Sequence, residues 1–172
     1  MDRSGTVATQ APPLWRDRAG FCGMDFVGQP AGNLSAAQRA TLREIAGRCR
    51  LGHDLLAAFA DRYDTFPRQL VLTFTRELAA MQFLLGRYDG AEASTIDRGD
   101  PRDTSEYRRL LAEGSVGRSA ALAVTARLAV DLIGIVEPAL FALTAADVRH
   151  VYLHLLTSAH RQVRTVQAWG CR

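Results

Sequence analysis

Glu77 is the residue from which chemistry is most directly argued. Spacings of three and four place Leu70, Phe74, Glu77, Met81, Leu84 and Tyr88 on one helical face, so an acid stands in the middle of an apolar stripe. A carboxylate there is costly unless it is protonated, paired or metal-bound. Arg48, His53 and Gln162 are its candidate partners. A carboxyl whose pKa is raised by burial suits proton transfer near neutral pH, which makes Glu77 and His53 the candidate catalytic residues. The competing reading places the stripe in another register and Glu77 on the surface.

Other groups carry weaker signals. Cys49 follows Arg48, and a neighbouring cation lowers a thiol pKa, but a small buried apolar role fits the stripe better. His150 and His154 are four residues apart and could share one metal ion, with His160 close in sequence. They lie off the apolar stripe, and His160 lies roughly a quarter to a third of a turn around the helix, so solvent-facing histidines are expected. His53 and Asp54 could act as an acid–base pair, yet adjacent helical residues point in different directions, and Asp54 is expected to meet a nearby Arg instead.

These residues sit in a chain of 172, with 48% hydrophobic and 23% charged residues and a net charge of +3, which suits a single globular domain. All 21 Lys and Arg residues are Arg, which excludes Schiff-base lysine chemistry and Walker-type phosphate binding. The positive charge forms no long basic stripe, so nucleic acid is not expected as a partner. Cys22, Cys49 and Cys171 have no C-x-x-C spacing and suggest neither a disulfide framework nor a zinc ribbon. Without about 18 uninterrupted apolar residues or a signal-like N-terminus, neither a membrane partner nor secretion is expected, and a cytoplasmic location follows.

Residues 1–34 hold Pro12, Pro13 and Pro30 without a sustained period and read as an irregular arm. Trp15, Phe21, Met24, Phe26 and Val27 could dock it on the body or on a second copy, which allows a homodimer. The remainder, 35–169, reads as an all-α bundle. Ser35-x-x-Gln38 is a capping box for a first helix to about Tyr63. Thr65 should cap a second helix, with Pro67 in its first turn, ending at Asp89-Gly90. A crossover loop spans 91–103, a short helix Thr104–Glu113 is closed by Gly114, and a third long helix covers Ser119–Leu143, kinked by Pro138. Thr144-x-x-Asp147 opens the fourth, which ends before Gly170. Four stripes with one longer crossover describe a four-helix bundle.

Several segments resemble one family. They are Arg50-Leu51-Gly52-His53-Asp54-Leu55-Leu56, Leu84-Leu85-Gly86-Arg87-Tyr88, Leu111-Ala112-Glu113-Gly114-Ser115-Val116, Asp147-Val148-Arg149-His150-Val151-Tyr152 and Leu155-Leu156. In order and spacing they resemble the ferritin-like superfamily, in particular the bacterial family catalogued as domain of unknown function 2202. The resemblance implies a ferritin-like bundle and a site for two irons built from two single Glu residues and two Glu-x-x-His pairs. Laid on this chain, the pattern falls on Cys49 and Ala129, on Phe74 and Glu77, and on Ala159 and Gln162. Only Glu77 supplies a carboxylate.

A bundle that has lost its metal is therefore expected, needing no cofactor. Its former metal cavity would bind a small apolar molecule, with Arg48, Cys49, Phe74, Ala129 and Gln162 as candidate ligand-binding residues, in the manner of a cofactor-independent isomerase or cyclase. A non-catalytic scaffold and an atypical metal-binding oxidoreductase using Glu77, Cys49 and His53 are the alternatives.

Overall fold

The computed structural model describes residues 30–90 and 101–170. These form α1 (Ala36–Arg62), α2 (Arg68–Asp89), a 3-10 turn (Pro101–Asp103), the short α3 (Ser105–Gly114), α4 (Arg118–Ala139) and α5 (Ala146–Gly170), with no strand among the described residues. The expected docking of the arm through Trp15, Phe21, Met24, Phe26 and Val27, and the loop 91–100, lie outside them.

The long helices form a ring in which α1 packs on α2 and α4, while α5 packs on α4 and α2. Glu77 meets Gln162 while Arg87 and Tyr88 meet Asp147, so α2 and α5 run antiparallel. Gln38 bonds the Ala142 carbonyl at one end of the bundle and Phe59 packs on Gly114 at the other, so α1 and α4 are also antiparallel. Arg43, near the start of α1, pairs with Asp89 at the end of α2, so these two are antiparallel as well; α2 and α4 therefore run the same way, and the chain must return from one end of the bundle to the other between them. α3 packs against α1 and α4 on that return. α4 is the one helix among the described residues long and apolar enough, at mean hydropathy 1.8, to cross a membrane; it packs here between α1 and α5.

Local signals explain most boundaries. Ser35 and Gln38 form the expected capping box, with Gln38 N–H donating to Ser35 Oγ at 3.2 Å and Ser35 N–H to Gln38 Oε1 at 2.9 Å. Gly90, at φ 56°, ends α2 in the left-handed region that favours glycine.

Other boundaries depart from expectation. Pro67, not Thr65, is the N-cap of α2, because Phe66 is drawn into the core against Phe59 and the preceding residues turn to deliver it. Gly114 is the last residue of α3 and has no positive φ; its role is contact, since the Phe59 ring fills the space a Cβ would need. α4 ends at Ala139, earlier than Leu143: Leu140 and Phe141 donate to carbonyls three residues back, Glu137 and Pro138, a 3-10 tightening that closes the helix. α5 begins at Ala146, and the Ala145 carbonyl accepts from Arg149 in place of the expected cap at Thr144.

Candidate functional site

The interior is two apolar clusters rather than one. The first holds Leu42, Ile45, Cys49, Met81, Ala129, Tyr152 and Ala159 among others. The second holds Leu51, Leu55, Phe59, Phe74, Leu122, Leu128 and Val166. On α2 the change from one to the other falls at Glu77, and on α5 at Gln162. Buried Thr125 on α4 donates its hydroxyl to the Ala121 carbonyl at 2.9 Å. The buried pair Glu77 and Gln162 thus sits where the two hydrocarbon blocks meet, while Thr125 lies within the second block.

Glu77 is 0% exposed and Gln162 2% exposed. Gln162 Nε2 donates to Glu77 Oε1 at 2.8 Å and lies 3.5 Å from Ser158 Oγ. Glu77 Oε2 and Gln162 Oε1 are both buried without a hydrogen-bond partner. Burial pushes the Glu77 carboxyl up from 4.5 to about 8, against the opposing pull of hydrogen bonds from Ser158 and Gln162. The acid is thus neutral at pH 7 and carries a proton to donate.

Cys49 is fully buried in the same region, and burial, reinforced by the Glu77 charge, raises its thiol well above the ordinary value. It stays a protonated, apolar group and not a thiolate nucleophile. Phe74 and Ala129 are buried as well, and the Phe74 ring occupies the space a Cβ at Gly52 would take. Gln162 bonds Glu77 and Cys49 lies near enough to feel its charge, whereas Ala129 shares the cluster of Cys49 and Phe74 belongs to the other.

Arg48 and His53 have other partners. Arg48 Nη1 pairs with Glu106 Oε1 at 2.6 Å on the flank where α1 meets α3. His53 Nδ1 lies 2.9 Å from Asp54 Oδ1, so these adjacent residues do meet, and Asp54 takes His53 where an Arg was expected. Side-chain torsions bring together two groups whose Cβ directions diverge.

A second buried carboxylate escaped the sequence reading. Asp147, 0% exposed, accepts from the Tyr88 hydroxyl at 2.6 Å, from Arg87 Nη1 at 2.9 Å and from the Val148 amide at 2.9 Å. Tyr88 in turn accepts the Gly32 amide at 2.8 Å, which ties the approach to α1 onto the ends of α2 and α5. Burial and Asp147 push the Tyr88 hydroxyl up to about 12. The one sequence signal was Tyr88 on the apolar stripe, since a buried Tyr hydroxyl takes a partner.

The donor set does not fit a dinuclear iron site. Such a site needs several carboxylates and two imidazoles, and the layer offers one carboxyl, an amide, a phenyl ring, a thiol and alanines. Among the described residues no three His, Cys, Asp or Glu converge as metal donors, so the set Glu77, Cys49 and His53 is not assembled. An open surface cavity of about 360 Å³ lies elsewhere, between the α1–α2 turn and Thr165 and Trp169 of α5.

Compared with known proteins, the chain matches no family model, no curated protein and no solved structure.

Proposed function

We propose that this chain is a ferritin-like bundle working without a dinuclear metal centre, and that its mid-bundle layer takes a small, largely apolar molecule on which Glu77 acts as general acid or base. The antiparallel ring of helices with one long crossover supports the fold reading, since ferritin-like bundles have that connectivity. The function reading rests on one observation: Glu77 Oε2 and Gln162 Oε1, side chains of one hydrogen-bonded pair, are both buried without a partner. An acid near pH 8 gives up and regains a proton at little cost around neutrality. A bound carbonyl or alkene beside Oε2 would receive that proton, and the carboxylate left behind would take one back to complete the turnover. Isomerisation or cyclisation needs no more than such a proton and an apolar enclosure.

Organic extraction of purified wild-type protein, followed by mass spectrometry, is expected to release an apolar molecule that Glu77→Gln protein retains weakly or not at all. Extracts that are both empty count against this reading.

A non-catalytic scaffold that pairs with a second copy is the alternative. It is favoured by the closure of the layer, where Cys49, Glu77, Ala129 and Ala159 are all 0% exposed, and by Phe141, which stands 91% exposed between α4 and α5. Sedimentation showing a concentration-dependent dimer that Phe141→Ser abolishes would support it.

A further inference from the structure

Ala123, Arg127, Val130, Gly134 and Glu137, spaced by threes and fours, form one exposed stripe along α4, flanked by Asp131, and Phe141 stands on the same line just beyond the end of the helix. Val130 is 53% and Phe141 91% exposed, while a Cβ at Gly134 would meet nothing within 4 Å, so two apolar projections stand on either side of a dent. The corresponding stripe of α5 carries Leu153 among Arg149, Thr157, His160, Arg164 and Gln167 and is mostly polar. The two charges within the α4 stripe are opposite in sign and lie about 15 Å apart along the axis. Among the described residues the Glu137 carboxylate has no partner. Arg127 Nη2 donates to Glu113 at 2.8 Å, and a guanidinium has further donors to give.

We infer that two copies of this chain pair through the outer faces of α4, antiparallel about a two-fold axis at the level of Leu132. The charges set the orientation. With the two helices parallel, Arg127 would face the partner's Arg127 and Glu137 the partner's Glu137. Antiparallel, Arg127 comes level with the partner's Glu137, Val130 with the partner's Gly134, and Ala123 with the partner's Phe141. Each charge then meets its opposite, and each large apolar side chain meets a small residue. One helical face is a small interface, so a weak dimer is expected. The inference rests on the self-pairing reading above and is independent of any role of Glu77.

Sedimentation of the full-length chain over a range of concentrations tests it. Wild-type protein should show a monomer–dimer equilibrium. Arg127→Glu and Glu137→Arg should each weaken pairing about ten-fold, because two attractive pairs become repulsive, and an equimolar mixture of the two variants should recover the wild-type affinity as a heterodimer. The ion pair of Arg127 with Glu113 is about half-exposed, so its loss costs the fold little. Gly134→Leu, for which the single chain has room, should weaken pairing as strongly with helical circular dichroism unchanged. A dimer that none of these substitutions weakens, or a mixture no tighter than its components, overturns the inference and leaves self-pairing to another surface. A chain that stays monomeric at high concentration overturns both, whether its α4 face then holds phosphatidylcholine vesicles or cross-links to residues 1–29.

Discussion

The side-chain amide of Gln162 donates to the carboxyl of Glu77 at 2.8 Å, across 85 positions of sequence and deep inside the bundle. The contact joins α2 to α5 at the level where the core changes from one apolar cluster to the other. It also fixes what a pH titration of this protein should look like.

Glu77 titrates near 8 in the folded chain and near 4.5 once unfolded. Between those values the folded state holds a proton that the unfolded chain has lost. Stability is therefore greatest below about pH 4.5 as far as this group is concerned, falls by about 1.4 kcal/mol per pH unit as pH rises, and levels off above about 8. Urea melts from pH 5 to 9 should show this slope in wild-type protein and a flatter one in Glu77→Gln. At pH 8 the variant should be the more stable of the two, by a few kcal/mol. Equal slopes would mean that Glu77 is not held neutral.

The glycines of α1 should respond in opposite senses. A Cβ at Gly52 collides with the Phe74 ring, whereas one at Gly47 meets nothing within 4 Å. Gly52→Ala is expected to cost about 1–3 kcal/mol through overpacking. Gly47→Ala should gain up to about 1 kcal/mol from helix propensity. Thermal denaturation of the two variants side by side gives the comparison directly.

Tyr88→Phe removes the hydroxyl that bridges the Gly32 amide and the buried Asp147 carboxylate. A loss of about 1–3 kcal/mol is expected, together with faster hydrogen exchange at Gly32. Asp147→Asn should cost more, because it removes the charged half of the mostly buried Arg87–Asp147 ion pair. If Gly32 exchanged at the wild-type rate in Tyr88→Phe, the tie would not be a real restraint.

The thiol of Cys49 should resist alkylation by iodoacetamide in the native protein and react only on unfolding, as followed by peptide mass spectrometry. Full burial and the raised thiol pKa both point that way. Rapid native labelling at Cys49 would show an open path to the layer.

Periodicity made most of this architecture legible. The four stripes and the Ser35–Gln38 capping box are local patterns, and local patterns survive folding. The burial of Glu77 was legible for the same reason, and Gln162 was reachable because its stripe faces inward. Asp147 was not, since its partners Arg87 and Tyr88 are 60 and 59 residues away and nothing near it in sequence announces them. The start of α2 was missed because two signals competed: Thr65 is a good cap, but burying the ring of Phe66 outweighs one hydrogen bond. Arg48 stood beside the first stripe and so looked available to Glu77, whereas α3, arriving from the crossover, brings Glu106 to it.

The division of the interior at Glu77 and Gln162 bears on how the bundle comes apart. Each hydrocarbon block is continuous within itself, so the seam between them is where cohesion is least. Loosening at that seam is therefore the least costly way to bring water to the buried acid.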